Sequence, residues 1–384
     1  MTHVGRAMTS PSLPSFARSL AALAACTFAA ATLAAPAPVD AVDARITSTA
    51  RLLAGAETNY PAHARIAALD AWQAHRTTMT PKWERLQRER LGVIESWRDE
   101  TLGRDAVACR TLLYPFSGPD FLNAYLLFPR CDRYVMFGLE APGAVPPFET
   151  MSGDEAGLFL KDMRVALTDF LERNYFITSR MARQLHTPRL KGVAPLMLAS
   201  MGLLDVQVAA VEPFDLGPAS EAARRAGRRA QGMKITFSHP QVGKPQTLYY
   251  LSLDATDQAL AANPEFLPFL AQSGSNVTFL KSASYLLHGN EFAGTRKVLL
   301  DATELLVQDD TGIPYRFLRS RGFEVRLFGR YARPIKDFNY GYQHDLAAAY
   351  RTSGKVADLP FPFGYHWQDG RSGLILARGT AKRS

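Results

Sequence analysis

Three short stretches hold most of the side chains able to do chemistry. Tyr114-Pro115-Phe116-Ser117-Gly118-Pro119-Asp120 offers a hydroxyl and a carboxylate three residues apart. At a helix start that pair is capping chemistry, with the carboxylate at the positive end. The same amides can hold an anion or a developing oxyanion, and Ser117 is then a ligand or a nucleophile. Lys281-Ser282-Ala283-Ser284-Tyr285, followed by His288, sets an amine beside two hydroxyls. A partly desolvated lysine would activate a neighbouring hydroxyl. The plainer expectation is that Ser282 caps a helix and Lys281 lies in solvent. Gln308-Asp309-Asp310-Thr311-Gly312-Ile313-Pro314-Tyr315-Arg316 offers adjacent carboxylates, suited to a hard cation or to acid–base work. Asp-Asp-Thr-Gly is equally good turn chemistry.

Each stretch follows a strand-like run, at residues 108–116, 276–280 and 304–308. In open α/β sheets the carboxyl ends of the strands are where ligands bind. If the three strands are parallel neighbours, these residues share one crevice. The candidate catalytic groups are Ser117, Asp120, Lys281, Ser282, Ser284, Asp309 and Asp310. The candidate ligand contacts are Tyr114, Ser117, Asp120, Lys281, Tyr285, Asp310, Tyr315 and Arg316. Aromatic residues of the tail (Phe338, Tyr340, Tyr342, Phe363, Tyr365, His366, Trp367) would line the crevice or pack around it. Aromatic walls with a few polar anchors suit a sugar or a peptide.

Strands alternating with helices from residue 107 predict an α/β fold with a mixed sheet flanked by helices. Residues 38–104 form a helical segment before it. There Ala64–Trp72 reads as one helix, and Thr80 as the N-cap of a second that opens on Pro81 and runs through Trp83 and Trp97. Ser152 and Glu155 form a capping box for a helix reaching about Asn174. Leu196–Ser200 reads as a strand and Ala283–His288 as a helix. The α/β region divides into a first part at 105–216, a basic surface connection at 217–232 and a second part at 233–384, the two parts sharing one sheet.

The first 37 residues read as a leader. Arg6 and Arg18 precede an apolar, Ala-rich run from Leu20 to Ala35, followed by Pro36 and Pro38. That is the pattern of a secretory signal, too short to span a membrane comfortably. Leu23-Ala24-Ala25-Cys26 is a minor lipoprotein alternative. The expected address is therefore periplasmic or secreted, with membrane contact only through the leader. Export leaves Cys109 and Cys131, which in an oxidising compartment read as one disulfide.

The 384 residues carry a net charge of +8, and without Arg6 and Arg18 there remain 42 basic against 36 acidic side chains. Arg224, Arg225, Arg228 and Arg229 form one basic patch and the stretch from Arg316 to Lys336 another. For an exported chain such patches are solvated faces or meet an anionic envelope component, not nucleic acid. There is no G-x-G-x-x-G, Walker A loop, G-x-S-x-G, S-x-x-K, H-E-x-x-H or C-x-x-C, so neither cofactor nor metal is called for. Oligomeric state is not legible.

The stretches YPFSGPD, KSASYLLH and QDDTGIPYR resemble those of a group of bacterial exported proteins, over Leu112 to Leu376. No activity is assigned to that group, so the resemblance implies export and no chemistry. The leading expectation is an exported protein that binds an envelope-derived ligand in the crevice. The alternatives are a periplasmic hydrolase using a serine or the Asp309/Asp310 pair, and a structural partner of an envelope assembly.

Overall fold

The computed structural model describes residues 42–103, 109–176, 183–185, 187–217, 230–272, 276–367 and 370–379. The leader, Cys26 and the Arg224–Arg229 patch lie outside them. Among the described residues nine strands form one mixed sheet in the order β3-β4-β5-β2-β1-β6-β7-β9-β8. They are β1 (Thr111–Pro115), β2 (Arg133–Gly138), β3 (Gln207–Phe214), β4 (Gln231–Ser238), β5 (Pro245–Ser252), β6 (Asn276–Leu280), β7 (Thr303–Gln308), β8 (Glu324–Gly329) and β9 (Gly373–Arg378). The five central strands, β5-β2-β1-β6-β7, run parallel. The outer pairs join them antiparallel. The α/β expectation holds, and strands from both halves of the chain share the sheet.

Central parallel strands are covered on both faces and read as apolar runs. One face carries Leu112, Tyr114, Tyr134, Met136, Phe279 and Val307, packed under the helices α1 (Ala44–Ala54), α2 (Asp70–Leu86), α3 (Gly92–Thr101), α4 (Phe121–Leu127), α5 (Gly153–Arg173) and α6 (Ala194–Leu203). The opposite side chains, Leu113, Val135, Phe137 and Leu306, are buried on the face of α7 (Phe266–Ala271) and α8 (Ala293–Ala302), where Phe137 meets Phe266. Two further helices, α9 (Tyr315–Ser320) and α10 (His344–Thr352), follow β7 and β8. Among the described residues no helix is long and apolar enough to cross a membrane.

Several local expectations change. Thr80 is not an N-cap: α2 continues through Pro81, and a π turn at Gln87–Leu91 leads into α3. Tertiary bonds outweigh the lost N–H. Trp72 Nε1 donates to Leu52 O at 3.2 Å and Trp83 Nε1 to Ala54 O at 2.8 Å, while His75 Nε2 meets Leu53 O at 2.9 Å. The side chains of α2 thus satisfy Leu53 O and Ala54 O at the open end of α1 and add to the Gly55 N–H on Leu52 O. Leu196–Ser200 is helix, not strand. It lies in α6, where every residue from Ala194 to Gly202 is buried, so no amphipathic period marks it. Gly202 lets α6 press on α1, since a Cβ there would stand 2.1 Å from Ala50 O. The capping box of α5 forms as expected, with Ser152 and Glu155 bonded reciprocally.

Cys109 and Cys131 form a disulfide with Cα atoms 4.5 Å apart. It ties the segment entering β1 to the segment entering β2, the strand beside it. Both strands lead to the same rim of the sheet.

Candidate functional site

The three polar stretches meet. β1, β6 and β7 are consecutive parallel strands, so residues 116–120, 281–285 and 309–316 emerge along one edge. From β1 the chain passes through α4 to β2 on one side, and from β6 through α8 to β7 on the other. The connections diverge between β1 and β6, the place where open α/β sheets form a crevice.

A buried ion pair fills the floor of that crevice. Lys281 Nζ lies 2.7 Å from Asp120 Oδ2, with side chains 1% and 3% exposed. Lys281 also donates to Asn174 O, and Tyr114 OH donates to Asp120 Oδ2 at 2.9 Å. Asp120 Oδ1 accepts from Asn123 N at 3.3 Å and Asn123 Nδ2 at 2.7 Å. Asp120 itself therefore caps α4, in place of the expected Ser117. Ser117 is buried, and its Oγ donates to Gly118 O at 3.1 Å. Burial lowers the lysine pKa while the Asp120 carboxylate opposes the shift. Lys281 does not lie in solvent: its chain enters the core because a carboxylate and a carbonyl wait there.

Asp309 and Asp310 diverge. Asp309 Oδ2 accepts from Ser282 N at 2.8 Å, and its Oδ1 accepts from Thr311 N at 2.9 Å and Thr311 Oγ1 at 2.5 Å. Gly364 closes over it, since a Cβ there would stand 2.0 Å from Asp309 Oδ2. Asp309 thus locks two turns together. Burial raises its pKa against these hydrogen bonds. Asp310 Oδ2 instead accepts from Tyr285 OH at 2.5 Å, and its carbonyl accepts from Gln343 Nε2 at 2.8 Å. Burial and then the Asp309 charge push the Asp310 carboxyl up to about 7. The two carboxylates do not converge on a shared cation. Among the described residues no group of three His, Cys, Asp or Glu could hold a metal ion.

The turn after β6 is strained. Ser282, Ser284 and Tyr285 have φ of 56°, 53° and 57°, a region that side chains other than glycine rarely occupy. Only Leu286–His288 forms a helical turn, so Ser282 caps nothing. Its Oγ is buried without a hydrogen-bond partner. Tyr365 OH donates to Ser282 O at 3.0 Å, so Ser284 Oγ must be the donor in its 2.7 Å contact with Tyr365 OH.

Beside this network opens a cleft of about 760 Å³. Its lining includes Ser284, Tyr285, His288, Arg316, Tyr340 and Tyr342. The tail aromatics split: Tyr340 and Tyr342 reach the cleft, whereas Phe363 is buried in the core against Phe279. Tyr315 does not line the cleft; its N–H is held by Gln343 Oε1 at 2.7 Å. His288 Nε2 is buried without a partner. Burial, with the charges of Arg316 and Arg296, lowers the imidazole pKa to about 4, so it is neutral near pH 7. Of the candidate residues, Ser284, Tyr285 and Arg316 line the cleft. Asp310 supports it through Tyr285, and Tyr114, Asp120, Lys281 and Asp309 lie buried behind.

Sequence reasoning missed Asn123, Asn174 and Gln343, amides whose role appears only once distant segments meet. It also missed a second polar cluster among the N-terminal elements. Ser48 Oγ lies 2.6 Å from His63 Nδ1, and His63 Nε2 lies 2.9 Å from Glu149 Oε1. No spacing in the chain marks it.

No family model matches this chain, and neither a curated protein nor a solved structure matches it.

Proposed function

We propose that this is an exported ligand-binding protein whose cleft beyond the carboxyl ends of β6 and β7 receives a polar, ring-bearing molecule of the cell envelope, a saccharide first among them. One observation carries the reading: three polar segments from distant parts of the chain join along one rim, and the two that follow β6 and β7 open on a cleft of about 760 Å³. Tyr285, Tyr340 and Tyr342 supply aromatic surface, and Arg316, Gln343 and Asp345 supply polar anchors. The leader pattern and the Cys109–Cys131 disulfide support an extracytoplasmic address.

The test is calorimetric titration of the purified protein with soluble peptidoglycan fragments and neutral oligosaccharides. Saturable binding that weakens at least about tenfold in Tyr342→Ala and Arg316→Ala supports the reading. A panel that shows no saturable binding overturns it.

A hydrolase is the second reading, favoured by one feature: burial and the Asp309 charge push the Asp310 carboxyl up to about 7, and Tyr285, which it binds, packs edge-on against a neutral His288. Turnover of chromogenic glycosides or esters that Asp310→Asn abolishes, without loss of folding, would replace binding by catalysis.

A further inference from the structure

On the far side of Tyr342 lies a second pocket, of about 430 Å³, whose lining among the described residues holds three arginines and no carboxylate. Arg330 leaves the end of β8, Arg333 stands in the loop beyond it, and Arg351 lies in the last turn of α10. All three are exposed, and among the described residues none is paired with a carboxylate. A cation at a helix end is favoured by the helix dipole, which accounts for Arg351 alone. Arg330 and Arg333 answer to no such need.

Beside the arginines, three tyrosines of the lining stack on one another. Tyr331 stacks on Tyr342 with centroids 5.6 Å apart, and on Tyr350 at 6.0 Å. Arg333 Cζ sits 5.9 Å from the Tyr342 ring centre. The ladder is pinned from behind. Tyr350 OH donates to Phe328 O at 3.0 Å, and Tyr331 OH accepts from Gln343 N at 2.8 Å. Rigid rings therefore hold this pocket while three guanidinium forks remain unspent. Three unneutralised like charges around one concavity repel one another, and an oxyanion relieves that repulsion. Guanidinium pairs with carboxylate or phosphate in a planar, two-bond geometry. The outer rings of the stack, Tyr342 and Tyr350, offer beside such forks an aromatic surface that suits a sugar ring carrying the anion.

We infer that the pocket between Arg330, Arg333 and Arg351, walled by the Tyr331–Tyr342–Tyr350 stack, is a binding site for an anionic saccharide. The anion is a carboxylate or a phosphate. The inference needs no ligand in the neighbouring cleft, with whose lining this pocket shares Tyr342.

The test titrates the purified protein with trigalacturonate and with glucose 6-phosphate, the two arms separating carboxylate from phosphate. Maltotriose and inorganic phosphate serve as controls. At least one anionic sugar is expected to saturate below about 10 mM and to weaken as salt rises. The Arg330→Ala/Arg333→Ala variant should lose at least about tenfold in affinity, with its thermal transition in place. Arg330→Lys/Arg333→Lys, which keeps charge without the fork, should also weaken binding. Equal binding of maltotriose would show that charge is not read. Inorganic phosphate binding as tightly as the sugar phosphate would show that the ring is not. Either result, full affinity in the folded double alanine variant, or no binding of either anionic sugar, overturns the inference.

Discussion

The Ser48–His63–Glu149 cluster and the rim of β1, β6 and β7 make opposite use of similar groups. The first has the spacing of an acyl-transfer triad, at 2.6 and 2.9 Å. Yet Ser48 is 3% exposed and His63 fully buried, and Thr58 Oγ1 sits 2.6 Å from the serine hydroxyl. Its hydrogen-bonding capacity is spent on tying α1 to the turn at Pro61–His63 and to Glu149. The rim has no triad spacing, but it opens on a cleft. It also keeps two groups without partners, Ser282 Oγ and His288 Nε2. Access and unspent capacity, more than distances among side chains, separate a site from a staple.

The comparison breaks most visibly at the floor of the rim. Replacing Lys281 with Met strands the Asp120 carboxylate in the core, and the expected cost is about 3–5 kcal/mol in denaturant unfolding. Lys281→Met combined with Asp120→Leu should recover part of that loss, because it removes both charges together. A loss under about 1 kcal/mol in the single variant would mean that water reaches the pair.

Next in size is the disulfide. Cys109→Ser/Cys131→Ser releases a loop whose ends are 22 residues apart, at an expected cost of about 3 kcal/mol. Titration of the denatured, unreduced protein should find no thiol from this pair. His63→Leu follows, leaving Glu149 without its ring partner and Ser48 with Thr58 alone, at about 1–3 kcal/mol. If the cluster is a staple, this variant loses stability and leaves ligand binding at the cleft unchanged. Labelling of Ser48 by a fluorophosphonate in the folded protein would instead make it a nucleophile.

Much of the rim was legible because its signals are local. Turn and cap residues follow strand-like runs, and the parallel order β1-β6-β7 brings those ends together. The Ser152/Glu155 box was legible for the same reason. What failed depends on contacts remote in sequence. The apolar run in α6 is buried all round, and with no exposed face it has no period to read. Pro81 stops a helix only when nothing else holds it, and the bonds of Trp72, His75 and Trp83 to the end of α1 do hold it. Lys281 looked solvent-facing because its partners, Asp120 and Asn174, are far away in the chain. The divergence of Asp309 and Asp310 required knowing that Ser282 N–H and Tyr285 OH approach from a neighbouring turn.

The sharpest contrast between the regions concerns protons. Asp310 has its pKa raised from 3.8 to about 7, by burial first and the Asp309 charge second. Below the unfolded value both states hold the proton, and the group adds no pH dependence. Between about 4 and 7 the folded state binds more protons than the unfolded one, so stability falls as pH rises through that window, and the decline levels off above it. Asp309, raised in the same direction, adds to the slope. His63 has the opposite sign: burial lowers its pKa, so stability is lost when pH falls below the ordinary histidine value. Asp310→Asn should therefore remove a fall in stability with rising pH between about 4 and 7, and His63→Leu should remove a rise with pH below the ordinary histidine value, so the two variants tilt the same window in opposite directions. Unfolding midpoints across pH measure both. If Asp310→Asn leaves the slope unchanged, the carboxyl is solvated and already ionised at acid pH, and it loses its claim to acid–base work.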